Sequence, residues 1–198
     1  MQVVSVNRRC LEVTVPATTV HSTCPAALTS AVRAAVQAGG PAADVSARVA
    51  LALADHLPRP AQLLTPAQLA GDPATYQTHR VHVEPDGSFS IAVMVWRPGQ
   101  VTPVHDHISW CVTGVLQGIE YEEIFALGPD HRSLVTMTRR ENQPGTVAGV
   151  APPGDIHQVR NCGGGIAVSM HVYGADLARL GSSIRRVYEL PVEVPAPR

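Results

Sequence analysis

Two histidines separated by one residue, within the stretch from Gly99 to Gly118, constrain this chain more than any other feature. The stretch begins Gly-Gln-Val-Thr-Pro-Val-His-Asp-His-Ile-Ser-Trp-Cys. Side chains on a β-strand alternate between its two faces, so His105 and His107 project from the same side. If the strand stays regular, Cys111 lies on that face as well. The pattern predicts a strand that presents two imidazoles at one point.

A third histidine follows a predicted turn much further along the chain. His157 lies in the segment from Pro152 to Asn161, where proline and glycine predict a turn that leads into a strand. Neutral imidazole binds iron, zinc, copper and nickel, so histidines alone do not select the metal. We expect His105, His107 and His157 to hold one metal ion. The alternative is that the three side chains only form hydrogen bonds inside the fold.

A row of polar side chains occupies alternate positions of a later apolar segment. Ser169, His171 and Tyr173 alternate with Met170 and Val172. On one strand the three polar groups face the same way, and the apolar pair faces the opposite way. Buried hydroxyl and imidazole groups need hydrogen-bond partners, and this spacing lets each serve the next. The segment therefore predicts a polar relay, with a purely structural polar ladder as the alternative.

The two histidine segments resemble the two motifs of the cupin family. The first motif is Gly, five residues, His-x-His, three or four residues, an acid, six residues and Gly. The positions that match it are Gly99, His105, His107 and Gly118. In the place of the acid stands Cys111. The second motif, Pro-x-Gly-x-x-His-x-x-x-Asn, is matched by Pro152, Gly154, His157 and Asn161.

The missing acid and the Ser-x-His-x-Tyr signature resemble the thiol dioxygenases, the cupins that include cysteine dioxygenase and 3-mercaptopropionate dioxygenase. The resemblance implies a mainly β fold: a cupin double-stranded β-helix, or jelly-roll barrel, with a small N-terminal α-helical preface. It implies iron(II) held by the three histidines, and oxidation of a small thiol by O₂ to its sulfinic acid. It also implies that Ser169, His171 and Tyr173 are catalytic, with the tyrosine hydroxyl near substrate and oxygen.

The order of patterns along the chain agrees with helices first and strands afterwards. Apolar residues recur every four positions from Pro25 to Ala38, and a second helix capped by Asp44 or Ser46 extends to about His56. A short helical turn is predicted at 66–70. We expect one domain, in which 1–71 forms an extension and helices that pack on the barrel, 72–190 forms the barrel, and 191–198 forms a tail. The predicted strands, besides that of His105 and His107, are 76–84, 88–96, 110–116, 118–127, 133–140, 146–151, 157–161, 166–173 and 184–190.

A thiol substrate that carries a carboxylate needs a cationic partner, and the planar fork of arginine fits it best. In the family this arginine commonly lies two residues after the equivalent of Tyr76, but here Thr78 occupies that position. Arg80, with the same strand parity, is the first candidate for substrate binding, and Arg185 or its neighbour Arg186 is the second. The departure leaves the identity of the thiol open.

Cys111 also has a candidate catalytic role. In cysteine dioxygenases of the mammalian type, a cysteine at this position becomes joined through sulfur to the relay tyrosine. We therefore expect that a thioether between Cys111 and Tyr173 can form during turnover, although an ordinary small buried side chain is the alternative.

Acidic residues near the histidines are weaker ligand candidates. Asp106 points to the opposite face by strand parity. The remaining carboxylates lie beyond the turn at Gly118, which disfavours them as substitutes for the missing acidic ligand; they are Glu120, Glu122 and Glu123.

Composition limits the remaining function classes. Lys plus Arg total 15 against 16 for Asp plus Glu, so the chain has no basic field that would attract nucleic acid or anionic lipid. Four scattered cysteines without a Cys-x-x-Cys pair indicate reduced thiols, and no apolar run near Met1 predicts a signal peptide or a membrane span. We expect a cytoplasmic monomer or small homo-oligomer. The competing functions are a cupin that uses another metal for hydrolysis or isomerisation, and a metal-binding sensor without turnover.

Overall fold

The computed structural model describes residues 24–193. The part of the predicted extension before Cys24 lies outside the described residues, and so does the end of the predicted tail. Within the described part, no helix is both long enough and apolar enough to cross a membrane.

The helices come first, as the sequence predicts. They are α1 (Ala26–Gln37), α2 (Ala42–Asp55) and α3 (Pro66–Leu69), with a 3₁₀ turn at Pro60–Gln62 between the last two. The prediction for the start of α2 is wrong by several residues, because Pro41 stands at the N-cap without any side-chain cap. Proline has a backbone already suited to entering a helix, and Asp44 then falls in the first turn, where its charge complements the helix dipole.

Eleven strands and one further helix follow in the described residues. Each of the first ten strands overlaps a predicted one, whereas the short β11 and the helix α4 (Leu177–Leu180) were not predicted. The strands are β1 (Gln77–Val83), β2 (Ser90–Trp96), β3 (His105–His107), β4 (Cys111–Gln117), β5 (Glu120–Leu127), β6 (Leu134–Asn142), β7 (Val147–Val150), β8 (His157–Arg160), β9 (Ala167–Tyr173), β10 (Ile184–Val187) and β11 (Val192–Glu193).

The strands form two sheets that face each other across an internal cavity. One sheet has five strands in the order β1-β2-β9-β4-β7, and the other has six in the order β10-β3-β8-β5-β6-β11. Chain neighbours such as β4 and β5 lie in different sheets, so the chain passes repeatedly from one sheet to the other, as in a jelly roll. The predicted mainly β cupin barrel with an N-terminal helical preface is confirmed.

The helices cover the outer face of the five-stranded sheet. Leu28, Val32 and Leu53 from α1 and α2 are fully buried in one cluster with apolar side chains of β2, β4 and β9. Gly114 on β4 allows a close approach, because a Cβ there would lie 2.7 Å from Cδ2 of Leu57. The main apolar core thus lies outside the barrel, between the five-stranded sheet and the helices.

The strand that carries His105 and His107 is shorter than the sequence predicts. It ends at His107, and Cys111 begins β4 in the opposite sheet. Ile108 donates its backbone N–H to Ser183, and Trp110 accepts one from Gly174, so the intervening segment is held as a crossing rather than as strand. The strand therefore does not stay regular as far as Cys111, which lies in the separate strand that is predicted at 110–116.

Candidate metal centre

The three predicted ligand histidines meet at one buried point. His105 and His107 come from β3, and His157 lies on the adjacent β8, directly opposite His105 in the register. Their ring centroids are 4.7 to 5.0 Å apart, and one nitrogen from each ring lies within 4.8 Å of the other two. All three side chains are buried. The predicted three-histidine cluster is confirmed.

Each imidazole is oriented through its Nδ1 atom. The Nδ1 partners are the backbone oxygen of Pro103 for His105 (2.9 Å), Oδ2 of Asp155 for His107 (3.0 Å) and Oε1 of Glu122 for His157 (2.8 Å). With Nδ1 as the donor, the lone pair of Nε2 is available on every ring, and Nε2 of His157 is buried without a partner among residues 24–193. Ligand histidines in metalloproteins are held in this way, so the three residues fit a metal ion.

Burial keeps His105 in the neutral form that binds metals. It lowers the pKa of His105 to about 3, and the neighbouring His157 and His107 act in the same direction. Burial alone would raise the pKa of Asp155 and of Glu122, but the hydrogen bonds from His107 and His157 outweigh it and leave both pKa values lowered. Two carboxylates therefore compensate a bound cation from outside the ligand set.

Sequence reasoning missed Asp155 and considered Glu122 only as a ligand. Asp155 stands two residues before His157 in the predicted turn, and it also accepts a hydrogen bond from the backbone N–H of His107 (3.0 Å). Glu123, by contrast, lies on the other side of β5 and pairs with Arg139. None of these carboxylates belongs to the cluster of candidate ligand atoms.

The polar relay is present on β9 and faces the barrel interior. Ser169 Oγ lies 2.9 Å from Nε2 of His171, and the hydroxyl of Tyr173 lies 3.2 Å from Nδ1 of the same ring. Met170 and Val172 are fully buried on the opposite face, in the core with the helices. The predicted hydrogen-bonded chain is therefore confirmed as geometry.

Burial fixes the protonation of two relay members. It lowers the pKa of His171 to about 3, so its ring is neutral, and it raises the pKa of Tyr173 well above the usual value, so the phenol keeps its proton. The Tyr173 ring lies 6.2 Å from that of His107, measured between centroids. The relay thus ends beside the metal centre with a protonated phenol.

A cavity of about 160 Å³ opens over the histidines and Tyr173. Its wall is largely apolar and includes Met94, Leu177 and a stacked pair formed by Tyr76 and Trp96, with ring centroids 4.5 Å apart. A cavity of this size accepts a small organic molecule, and its lining also includes polar residues away from the histidines, among them Gln77, Thr78 and Ser183.

The predicted substrate arginines do not line this cavity. Arg80 is exposed, and its guanidinium donates to the backbone oxygen of Leu177 (2.9 Å). Arg185 and Arg186 both pair with Asp106, which is buried on the side of β3 opposite the histidines, as its parity predicts. The structure thus holds these guanidiniums at other acceptors, and no arginine among residues 24–193 lines the cavity.

Cys111 lies next to Tyr173 by a different route from the predicted one. The two residues are directly opposite each other in the pairing of β4 with β9, and Sγ of Cys111 lies 4.0 Å from Nδ1 of His171. Complete burial raises the pKa of the Cys111 thiol to about 12. The thiol is therefore protonated and adjacent to the relay.

Comparison with known proteins gives one family and several distant structures. A model of the cysteine dioxygenase type I family matches residues 20–182. A cupin superfamily protein from Desulfitobacterium hafniense DCB-2 is 13% identical, with a TM-score of 0.44 over 62% of this chain and 93% of its own. A cupin 2 conserved barrel domain protein from Salinispora arenicola CNS-205 is 22% identical, with a TM-score of 0.39 over 54% and 80%.

Proposed function

This chain belongs to the cysteine dioxygenase type I family, and we propose that it oxidises a small thiol to its sulfinic acid with O₂ at an iron(II) ion. The overall reaction adds both oxygen atoms to sulfur, so that RSH and O₂ give RSO₂H. The observation that supports this most directly is a ligand set of three imidazoles that, among residues 24–193, includes no carboxylate. Such a set leaves space beside the metal and leaves its positive charge uncompensated by the ligands, which favours an anionic sulfur ligand.

His105, His107 and His157 would hold the iron through Nε2. When bound, iron(II) would supply the redox chemistry by which a thiolate and dioxygen held close together react, which replaces a difficult encounter by a local reaction. Asp155 and Glu122 keep the imidazoles oriented through their Nδ1 atoms. Their charge offsets that of the cation without occupying a coordination position.

Tyr173 orients the reactants, and its hydroxyl donates or accepts a proton. The phenol lies at the metal end of the relay, and His171 fixes it through Nδ1. A neutral His171 between Ser169 and Tyr173 has one proton to donate and one lone pair to accept with. The relay can therefore present the phenol oxygen in a fixed position during oxidation.

Arg80 is the residue that we propose for binding the carboxylate of the substrate. Its guanidinium already lies at Leu177, whose side chain lines the cavity, so it is the candidate cation connected to the rim. Arg185 would first have to leave Asp106. The apolar wall around Tyr76 and Trp96 favours a thiol with a compact or apolar body.

The test is anaerobic loading with iron(II), followed by oxygen uptake and mass spectrometry across a panel of thiols. We expect thiol-dependent uptake and a product heavier by two oxygen atoms. A zinc- or nickel-loaded protein should show neither. If the iron form takes up no oxygen with any thiol, the dioxygenase proposal is wrong, and a Lewis-acid cupin or a sensor replaces it.

The same panel tests the arginine. Replacing Arg80 by Ala should raise KM about tenfold or more for carboxylate-bearing thiols, because a charged contact is lost, and should leave neutral thiols nearly unchanged. Arg179→Ala, at an exposed arginine in α4, is the matched control. Equal effects of Arg80→Ala on both classes of thiol would remove Arg80 from the site.

A further inference from the structure

One fully buried carboxyl group takes no part in the arrangement described so far. Glu120 has no exposed surface, and neither of its oxygens has a hydrogen-bond partner within the described residues. An unpartnered carboxyl in a protein interior is costly, so its presence calls for a polar neighbour or a water molecule.

Glu120 points into the barrel from the start of β5. It lines a second cavity of about 20 Å³, together with Thr113, Cys111 and Glu122. This volume is enough for one water molecule. The Ser169 hydroxyl and the Trp96 indole N–H lie close enough to Glu120 to favour its ionised form. The carboxyl is therefore next to Ser169, at the end of the relay opposite Tyr173, and His157 lines the same small cavity.

We propose that Glu120 is a positioning residue at the inner end of the relay, and that its protonation state sets the direction in which Ser169, His171 and Tyr173 donate their hydrogen bonds. The inference deepens the proposed function, since the relay is the part of the site that touches the reactants. It concerns the hydrogen-bond pattern of the protein itself.

The direction follows from counting protons in the ionised state. Trp96 donates its indole N–H to Ser169 Oγ (3.2 Å), so the single hydroxyl proton of Ser169 is free to point elsewhere. An ionised Glu120 only accepts, and Ser169 then donates toward it, directly or through the water. Nε2 of His171 must donate to Ser169, and its bare Nδ1 accepts the proton of Tyr173.

Protonation of Glu120 reverses this order. Ser169 no longer has an anion as acceptor, so its hydroxyl donates a hydrogen bond to Nε2 of His171. The ring proton moves to Nδ1, which donates to the phenol oxygen of Tyr173 or to Thr113 Oγ1 (3.3 Å). The phenol proton is then free to point into the metal cavity. One proton at Glu120 thus changes Tyr173 from a donor toward the relay into a donor toward the reactants.

The protonation of Glu120 changes near neutral pH. Burial raises the pKa of Glu120 to about 7, the charge of Glu122 acts in the same direction, and Ser169 and Trp96 oppose the increase. Titratable groups from other strands around the small cavity are Cys111 and His157. Beyond Ser169 lies His171, which stays neutral. Asn142, which pairs with Glu120 on β6, carries no charge.

The test reads the tautomer of His171 in metal-free protein by nitrogen NMR of ¹⁵N-labelled histidine, with the signal assigned from His171→Gln. We expect Nδ1 to carry the proton at about pH 5.5 and Nε2 at about pH 8.5, values on either side of the Glu120 pKa. In Glu120→Gln the His171 tautomer should be the same at both pH values. Because neither metal nor thiol is present, this result is independent of dioxygenase activity.

Glu84→Gln is the matched control, since Glu84 is a buried carboxylate that pairs with Arg33 outside the relay. It should keep the pH-dependent change. If Glu120→Gln does not fold, Ser169→Ala retains the carboxyl but breaks its connection, and the change should again be lost. A wild-type His171 tautomer that is constant with pH, or a change that survives in Glu120→Gln, would overturn the proposal.

Discussion

At the scale of single residues, the carboxylates behind the histidines make the sharpest prediction. Asp155 holds both the ring and the backbone of His107, so Asp155→Ala should weaken metal affinity by about 10- to 100-fold. His107→Ala should abolish stoichiometric binding. Competition with a chelator measures both. Asp106→Asn, next to the same ligands but on the opposite face, is the control, and an equal loss there would contradict the orienting role of Asp155.

Tyr173→Phe should keep the bound metal and slow turnover. Only the hydroxyl is removed, and a lost proton-transferring group typically costs about a hundredfold or more in rate. Metal content and kcat are measured on the same preparation. A variant with the wild-type kcat would make Tyr173 a structural residue.

A covalent bond between Cys111 and Tyr173 is a further prediction at this scale. They oppose each other across β4 and β9, so a thioether can form if O₂ accepts the two hydrogens that leave the thiol and the ring. We expect aerobic turnover to give a cross-linked peptide pair lighter by two hydrogens, and to raise activity without being essential for it. Peptide mass mapping checks this, with Cys111→Ser as the control. Fully active enzyme that contains only the separate peptides would refute it.

The ligands and relay residues were predictable because their spacing is local in sequence. His105 with His107, and Ser169 with His171 and Tyr173, need only the alternation of a strand. Their partners were not predictable in the same way. Glu122 on β5 contacts His157 on the neighbouring strand β8. Arg80 donates to the backbone oxygen of Leu177, which lies in a helix that the sequence pattern did not predict. These contacts depend on register between distant segments.

At the scale of elements, the turn between β4 and β5 should be the least tolerant of change. Gly118 has φ +70°, and a Cβ there would lie 2.7 Å from the backbone of Ala167 and of Ile166. Gly118→Ala should lower the free energy of unfolding by about 2 kcal/mol or more. Urea unfolding measures this. Gly165→Ala, where the added Cβ meets open space, is the control, and equal losses would show that the close contact is not the cause.

Strand positions were predictable, whereas the sheet to which each strand belongs was not. The sequence indicates apolar and polar alternation on both sides of Ile108, but it does not indicate that the chain changes sheets there. The crossing depends on hydrogen bonds with Ser183 and Gly174, which lie much later in the chain. Cys111 therefore reaches Tyr173 through pairing of β4 with β9 instead of through the strand of the histidines.

At the scale of the whole molecule, Glu120 should make stability depend on pH. Its pKa is about 7 in the folded chain against an ordinary 4.5, so the folded state holds a proton that the unfolded chain has lost between those values. The contribution of Glu120 to stability should therefore fall as pH rises from about 4.5 to about 7, by on the order of 3 kcal/mol, and then level off. Buried His105 and His171, whose pKa values are lowered to about 3, act in the opposite direction over part of this range. Urea unfolding of wild type and Glu120→Gln at about pH 5 and about pH 8 isolates the Glu120 contribution as the difference between the two proteins.

Glu120→Gln should remove this decline and be the more stable protein at the higher pH. The pKa of Asp106 is lowered by its hydrogen bonds with Arg185, Arg186 and Tyr188, against the effect of burial. Its contribution is therefore lost only in more acidic solution, below the range compared. Parallel stability profiles for wild type and Glu120→Gln would contradict the prediction.

The two sheets divide the site between them. All three histidines and both supporting carboxylates are attached to the six-stranded sheet or to the turn that enters it, and Ser169, His171 and Tyr173 belong to the five-stranded sheet. Substitutions in the metal centre and substitutions in the relay therefore fall on different strands, so that either group of side chains can change while the other is retained. The same architecture can thus diversify in two separate steps.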